Sequence, residues 1–213
     1  RGSKRFFQSD TSIIRLRKAM AGYLDDDYGH GMGHVEKVAI DAGTLVIIES
    51  RLASLTKKQV QRNLLLAQCA GLLHDICRKE KSHAEKGAET AGDILRTYPL
   101  VPEEITHVCS AIRNHEAFSR LERLRARQAR MISDCLYDAD KFRWGPDNFT
   151  HTLWLMWEAA GSPPLEKLHR RCLEMRSLAH GARGGTGSGG GTGDDIRTPA
   201  LDRLLWVFLR RCN

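Results

Sequence analysis

Leu72-Leu73-His74-Asp75-Ile76 closes a run that is otherwise almost wholly apolar: Leu64, Leu65, Leu66, Ala67, Cys69, Ala70, Leu72 and Leu73. A helix that is apolar nearly all round is a buried helix. A carboxylate seldom enters such surroundings alone, because stripping its water without supplying a partner is costly. Something must therefore offset the charge of Asp75. A metal ion suits an adjacent His and Asp, since both donate lone pairs to borderline or hard cations. A local cap or a salt bridge to an arginine accounts for the pair equally well, so the remaining residues have to decide.

The 213 residues are enough for one domain with a real core, and 41% hydrophobic with 28% charged residues is the balance of a soluble globular protein. No apolar run approaches the length of a membrane span and no signal peptide opens the sequence, so a cytoplasmic protein is expected. Arg1-Gly2-Ser3 reads as an appended remnant, and the domain is expected to run from residue 4 to 180. Six scattered cysteines without a CxxC pair fit reduced, buried thiols better than disulfides or a zinc ribbon. A net charge of +7 favours an anionic partner without choosing among phosphorylated small molecules, nucleic acid and an anionic surface.

Outward from the pair, the pattern predicts about eight helices and no strand, an all-α bundle. Thr11 to Tyr23 is a short amphipathic helix, followed by a loop through the Gly-rich Tyr28-Gly29-His30-Gly31-Met32-Gly33. A helix from about His34 to Leu52 turns Val38, Ala42 and Leu45 inward, with His34 on the same face. His30 lies one turn earlier, but the glycines argue against a continuous helix there. Thr56 and Gln59 form a capping box that starts the buried helix carrying His74 and Asp75. Ser82 and Glu85 form a second, which puts His83 in the first turn of its helix, where the macrodipole favours a neutral imidazole. Pro102 opens a helix with Ile105, Val108 and Ile112 inward; His115 shares that face and His107 does not. The arginines between Arg120 and Arg130 read as a solvated face. Met131 to Phe142 is helical, with Asp138 and Asp140 flanking its inward face, and periodicity leaves open which of them points at the site. Helices are also expected over residues 149–160 and from Ser162, a Gly-rich linker over 181–197, and a last apolar helix over 198–213 that docks on the domain or on a second copy in a homodimer.

Four histidines at inward faces or helix ends, with an Asp in an apolar run, are harder to explain as satisfied core residues than one would be. Together, from about Tyr28 to Phe149, they resemble the HD-domain superfamily of metal-dependent phosphohydrolases, all-α bundles with a His, a His-Asp pair and a distant Asp. That pattern is carried here by His34 in Gly-His-Val-Glu-Lys-Val, by His74-Asp75, and by Asp140 in Tyr-Asp-Ala-Asp-Lys; the match selects Asp140 over Asp138. His83 to Ala88 and Asn114-His115-Glu116 match the additional histidines with which many members bind a second metal. Lys37 and Arg78 stand where many members have Arg and Lys, and no GYP motif follows His115. The resemblance is closer to small bacterial HD hydrolases, including those that cleave dinucleoside tetraphosphates.

The resemblance implies one or two divalent transition metals (Mn, Fe, Co, Ni or Zn), with His34, His74, Asp75 and Asp140 on the first, His83 and His115 on the second, and Asp75 bridging. Arg78 and Lys141 become the cations expected to act with Asp75 in catalysis on a phosphorylated, nucleotide-like substrate, and Glu116 and His30 the residues expected to orient ligands. The alternatives are a di-iron oxygenase on the same ligands, a regulatory nucleotide-binding module without turnover, and, ranked last, a nucleic-acid binder using the arginine run.

Overall fold

The computed structural model describes residues 1–24, 31–116 and 122–141. Seven helices occur among them, with no strand: α1 (Gly2–Ser9), α2 (Thr11–Met20), α3 (Met32–Leu52), α4 (Lys57–Leu73), α5 (His83–Leu95), α6 (Pro102–Arg113) and α7 (Arg127–Lys141). The all-α expectation holds. The helices expected over 149–160, from Ser162 and over 198–213 lie outside the described residues, as do the 181–197 linker and His30. No described helix is long and apolar enough to cross a membrane.

The apolar run behaves as its composition demands. Every residue of α4 from Asn63 to Leu73 is buried, and α4 packs against α2, α3, α5, α6 and α7. Its start is fixed by the expected capping box: Thr56 Oγ1 accepts from the Gln59 amide at 3.4 Å, and the Thr56 amide donates to Gln59 Oε1 at 3.0 Å. The helix stops one residue before the pair, however. His74 is the C-cap, and tight turns from Ile76 N to Leu73 O (3.2 Å) and Arg78 N to Asp75 O (3.0 Å) carry the chain onward. Ile76 is still buried, so the apolar pattern runs past the end of the helix and conceals it.

The second capping box does not form. Ser82 adopts a left-handed backbone (φ 59°, ψ 42°) rather than the extended one that aims an N-cap hydroxyl at the helix amides. His83 is nevertheless the first residue of α5, as expected. The first residues, Arg1-Gly2-Ser3, are ordered against the bundle. α1 begins at Gly2, and Ser3 is buried, its hydroxyl donating to Ile40 O at 2.7 Å while the Gln68 amide donates to Ser3 O at 3.0 Å.

Two glycines let α3 and α4 approach closely. A Cβ on Gly71 would fall 2.5 Å from Ala39 Cα, and one on Gly43 would fall 2.6 Å from Leu64 Cδ1. Small residues at the crossing bring the first turn of α3, with His34, alongside the last turn of α4. Elsewhere the bundle is tied by Arg62, whose guanidinium grips both oxygens of Glu104, while Glu104 Oε2 also accepts the Val101 amide at 2.9 Å at the start of α6. The four described cysteines, Cys69, Cys77, Cys109 and Cys135, are free thiols, as anticipated, and all but the half-buried Cys77 are buried.

Gly71→Ala tests the crossing. The added methyl meets backbone, which cannot rotate away, so it should destabilise the fold by about 2–3 kcal/mol in urea unfolding. An unchanged midpoint would mean that the helices do not meet there.

Candidate metal centre

Every candidate donor comes from a helix terminus. His34 lies in the first turn of α3, His74 and Asp75 follow α4, His83 opens α5, His115 and Glu116 follow α6, and Asp140 and Lys141 close α7. Three of these five termini are C-terminal ends, whose carbonyls and dipoles favour a cation.

The side chains form two groups whose donor atoms lie within 4.8 Å of one another: His34, His74 and Asp140, and Asp75, His83 and His115. In the first, His34 Nε2 is 3.3 Å from both His74 Nε2 and Asp140 Oδ1, and His74 Nε2 is 3.7 Å from Asp140 Oδ1. Asp75 spans the two groups. Its Oδ2 stands 3.6 Å from His74 Nε2 and 3.9 Å from His34 Nε2, while its Oδ1 stands 3.7 Å from His115 Nε2. The rings follow one another, with His34–His74, His74–His115 and His83–His115 centroids 5.3, 5.2 and 5.2 Å apart.

The far edges of the rings fix the tautomers. His74 Nδ1 is 2.9 Å from Gly71 O, and His115 Nδ1 is 2.6 Å from Ile112 O. A carbonyl can only accept, so each Nδ1 carries hydrogen and a neutral ring turns its Nε2 lone pair to the centre. Both acceptors lie in the last turn of a helix, where carbonyls lack helical partners. His83 Nδ1 is held likewise by Glu116 Oε1 at 2.9 Å. With every ring neutral these lone pairs repel one another; a proton on His74 Nε2 relieves the conflict in the metal-free chain, and a metal cation would relieve it in the same place. The donor set of imidazoles and carboxylates, with His74, His83 and His115 each backed by an acceptor, fits a divalent transition metal.

Electrostatics agree. Burial would raise the Asp75 carboxyl, but His74, His115 and Arg78 together hold it well below the usual carboxylate range. Asp140 is likewise held low against its burial by His34, His74 and Lys141. Burial lowers His34 and His83. Burial also pulls His74 down, but Asp75 and Asp140 outweigh it and push the imidazole up to about 9.

Of the residues singled out in the sequence, His34, His74, Asp75, His83, His115 and Asp140 are brought together. Arg78 Nη1 donates to Asp75 Oδ2 at 2.9 Å, and Lys141 Nζ to Asp140 Oδ2 at 2.7 Å. His107 stays out of the cluster, as expected from its face. It is nonetheless buried, with its Nδ1 2.9 Å from Gln128 Oε1. Asp138 is also buried but belongs to neither donor group. The residues that the sequence reading missed are Gly71 and Ile112, which act through backbone carbonyls. Their signal is a histidine just past a helix end, three residues after the carbonyl. A buried Asn114 was missed as well; it exchanges two hydrogen bonds with the Glu122 backbone (3.0 and 2.8 Å) and so anchors the chain beside His115.

An all-α bundle with a His, a His-Asp pair and a distant Asp gathered at its helix ends defines a class of metal-centred helical proteins. The HD-domain family model matches residues 31–145, more than half of the chain, and the chain belongs to the HD-domain superfamily. No curated protein and no solved structure gave a significant match.

Metal uptake should depend on pH with a definite sign. The metal-free chain carries a proton on His74 below about 9, and the facing Nε2 must lose it to bind a metal. Apparent affinity should rise roughly tenfold per pH unit from 7 toward 9 and then level off, with about one proton released at pH 7. The linkage of the metal-free fold has the opposite sense: the stability from His74 is fully present below 6.5 and is lost as pH rises through about 9. Calorimetric titrations in buffers of different ionisation enthalpy read the proton count. Flat affinity with no proton released would contradict the arrangement.

Proposed function

We propose that the protein is a metal-dependent phosphohydrolase that cleaves a phosphate ester or anhydride of a nucleotide-like small molecule. The observation that carries this reading is Asp75, a buried carboxylate with one oxygen toward each of two adjacent donor groups. In this reading His34, His74 and Asp140 would hold one divalent ion, His83 and His115 a second, and Asp75 would be shared between them. When bound, such ions supply a water of lowered pKa and a Lewis acid for phosphoryl oxygen.

The chain's own residues do the rest. Asp75 and Asp140, kept ionised by their surroundings, fix the charge of the centre. The carbonyls of Gly71 and Ile112 hold two imidazoles so that no reorientation is needed during turnover. Arg78 uses one nitrogen on Asp75, and its side chain is 44% exposed, so the planar fork has further donors to turn toward phosphoryl oxygens. Lys141 holds the Asp140 oxygen that His34 does not meet and adds a positive charge near a developing anion. The net charge of +7 draws in an anionic substrate.

The test is phosphate release from an aryl phosphate and a nucleotide panel with Mn, Fe, Co, Ni and Zn in turn. Activity should require a metal and should vanish in Asp75→Ala. Arg78→Ala should keep its metal while kcat/KM falls by roughly 10²-fold. Asp75→Ala with full metal content and full turnover would sink the proposal. So would iron-dependent oxygen consumption without phosphate release.

A further inference from the structure

The two donor groups are not equivalent. The first can draw on His34, His74, Asp140 and Asp75 Oδ2, whose side chains are 7, 0, 10 and 2% exposed. The second has Asp75 Oδ1, His115 and His83, and must share Asp75 with the first. His83 is its outermost member, with a side chain 24% exposed.

The anchoring differs too. The rings of His74 and His115 are held by backbone carbonyls of the helices they terminate, which move only if the helices move. The His83 ring is held by a side chain from elsewhere in the chain, Glu116, which is itself 33% exposed. His83 also follows a left-handed Ser82, so its helix opens without a side-chain cap to stiffen the first turn. A rotamer change of one half-buried carboxylate therefore suffices to release the ring, whereas releasing His74 or His115 requires a helix end to rearrange.

Building on the two-metal reading above, we propose that the His83–His115–Asp75 position is the exchangeable one, and that Glu116 sets its affinity for a divalent transition metal. Glu116 is a positioning residue: it holds His83 Nδ1 and thereby keeps Nε2 turned to the metal. It thus decides whether the centre carries one ion or two at a given metal concentration. Its effect is confined to the second position, because Glu116 holds His83 there, whereas at the first Gly71 O holds His74 and Lys141 holds Asp140.

The test is a Mn2+ titration of the metal-free full-length chain, with free Mn2+ counted by its EPR signal and folding of each variant checked by circular dichroism. The wild type should bind two equivalents, one more tightly than the other. Glu116→Ala should weaken the looser equivalent by roughly 10–100-fold and leave the tighter one unchanged. Glu116→Gln retains an acceptor oxygen and should recover most of the loss. Equal wild-type affinities would overturn the inference, and so would a tight equivalent that weakens along with the loose one or an Ala variant like the wild type. A wild type that takes up fewer than two ions would overturn the two-metal reading with it. The predicted pattern without phosphate release would reject the proposed activity and leave this inference standing.

Discussion

The Asp75 carboxylate is 2% exposed, yet its neighbours keep it ionised. Burying a charge without a counter-charge costs several kcal/mol, so the surroundings of Asp75 must be electropositive whatever else they do. In the metal-free chain that role falls to the protonated His74 and to Arg78. With a metal present, the ion replaces the proton and takes over the neutralisation. The same nitrogen would serve both states, since the His74 Nε2 that loses the proton is the one that faces Asp75 and Asp140. Arg78 approaches from the exposed side and so remains available in both.

Meeting that constraint shapes the bundle. Donors from five helices converge only if five termini reach one end, and α4 sits at the middle of this convergence. Gly71 serves it twice. Its missing side chain allows α3 to lie against α4, which brings His34 to His74, and its carbonyl turns the His74 ring. The helix termini bring the chemistry with them: last-turn carbonyls behind His74 and His115, and a first-turn position for His34 and His83.

Much of this was legible in the sequence because burial and period carry it. The apolar run around Leu66 marked α4 as the central helix, and the pairing of a histidine with an acid inside that run marked the centre. The face of His34 followed from helical spacing, whereas His115 reaches the centre from a turn, because α6 ends at Arg113, two residues before it. Other features were hidden for physical reasons. The end of α4 could not be read because Ile76 continues the apolar pattern through a turn. Asp138 and Asp140 both flank the buried stripe of α7, and only packing against α3 brings Asp140 Oδ1 to His34. The left-handed Ser82 defeats a capping box that looks sound in residue types alone. Ser3 is small and polar, and its burial depends on Gly43 and Gln68, distant positions that no local pattern connects. Carbonyl acceptors leave no trace in residue type, so Gly71 and Ile112 can be read only from the three-residue spacing of each histidine past a helix end, which needs the helix ends to be known.

The central claim is that one carboxylate joins two metal positions. EPR of the wild type loaded with two equivalents of Mn2+ tests it most directly. Two ions joined by Asp75 should give the spectrum of a spin-coupled pair, and one equivalent should give an isolated-ion spectrum. Two equivalents that give only isolated-ion signals would contradict the account, because the donors would then not share Asp75.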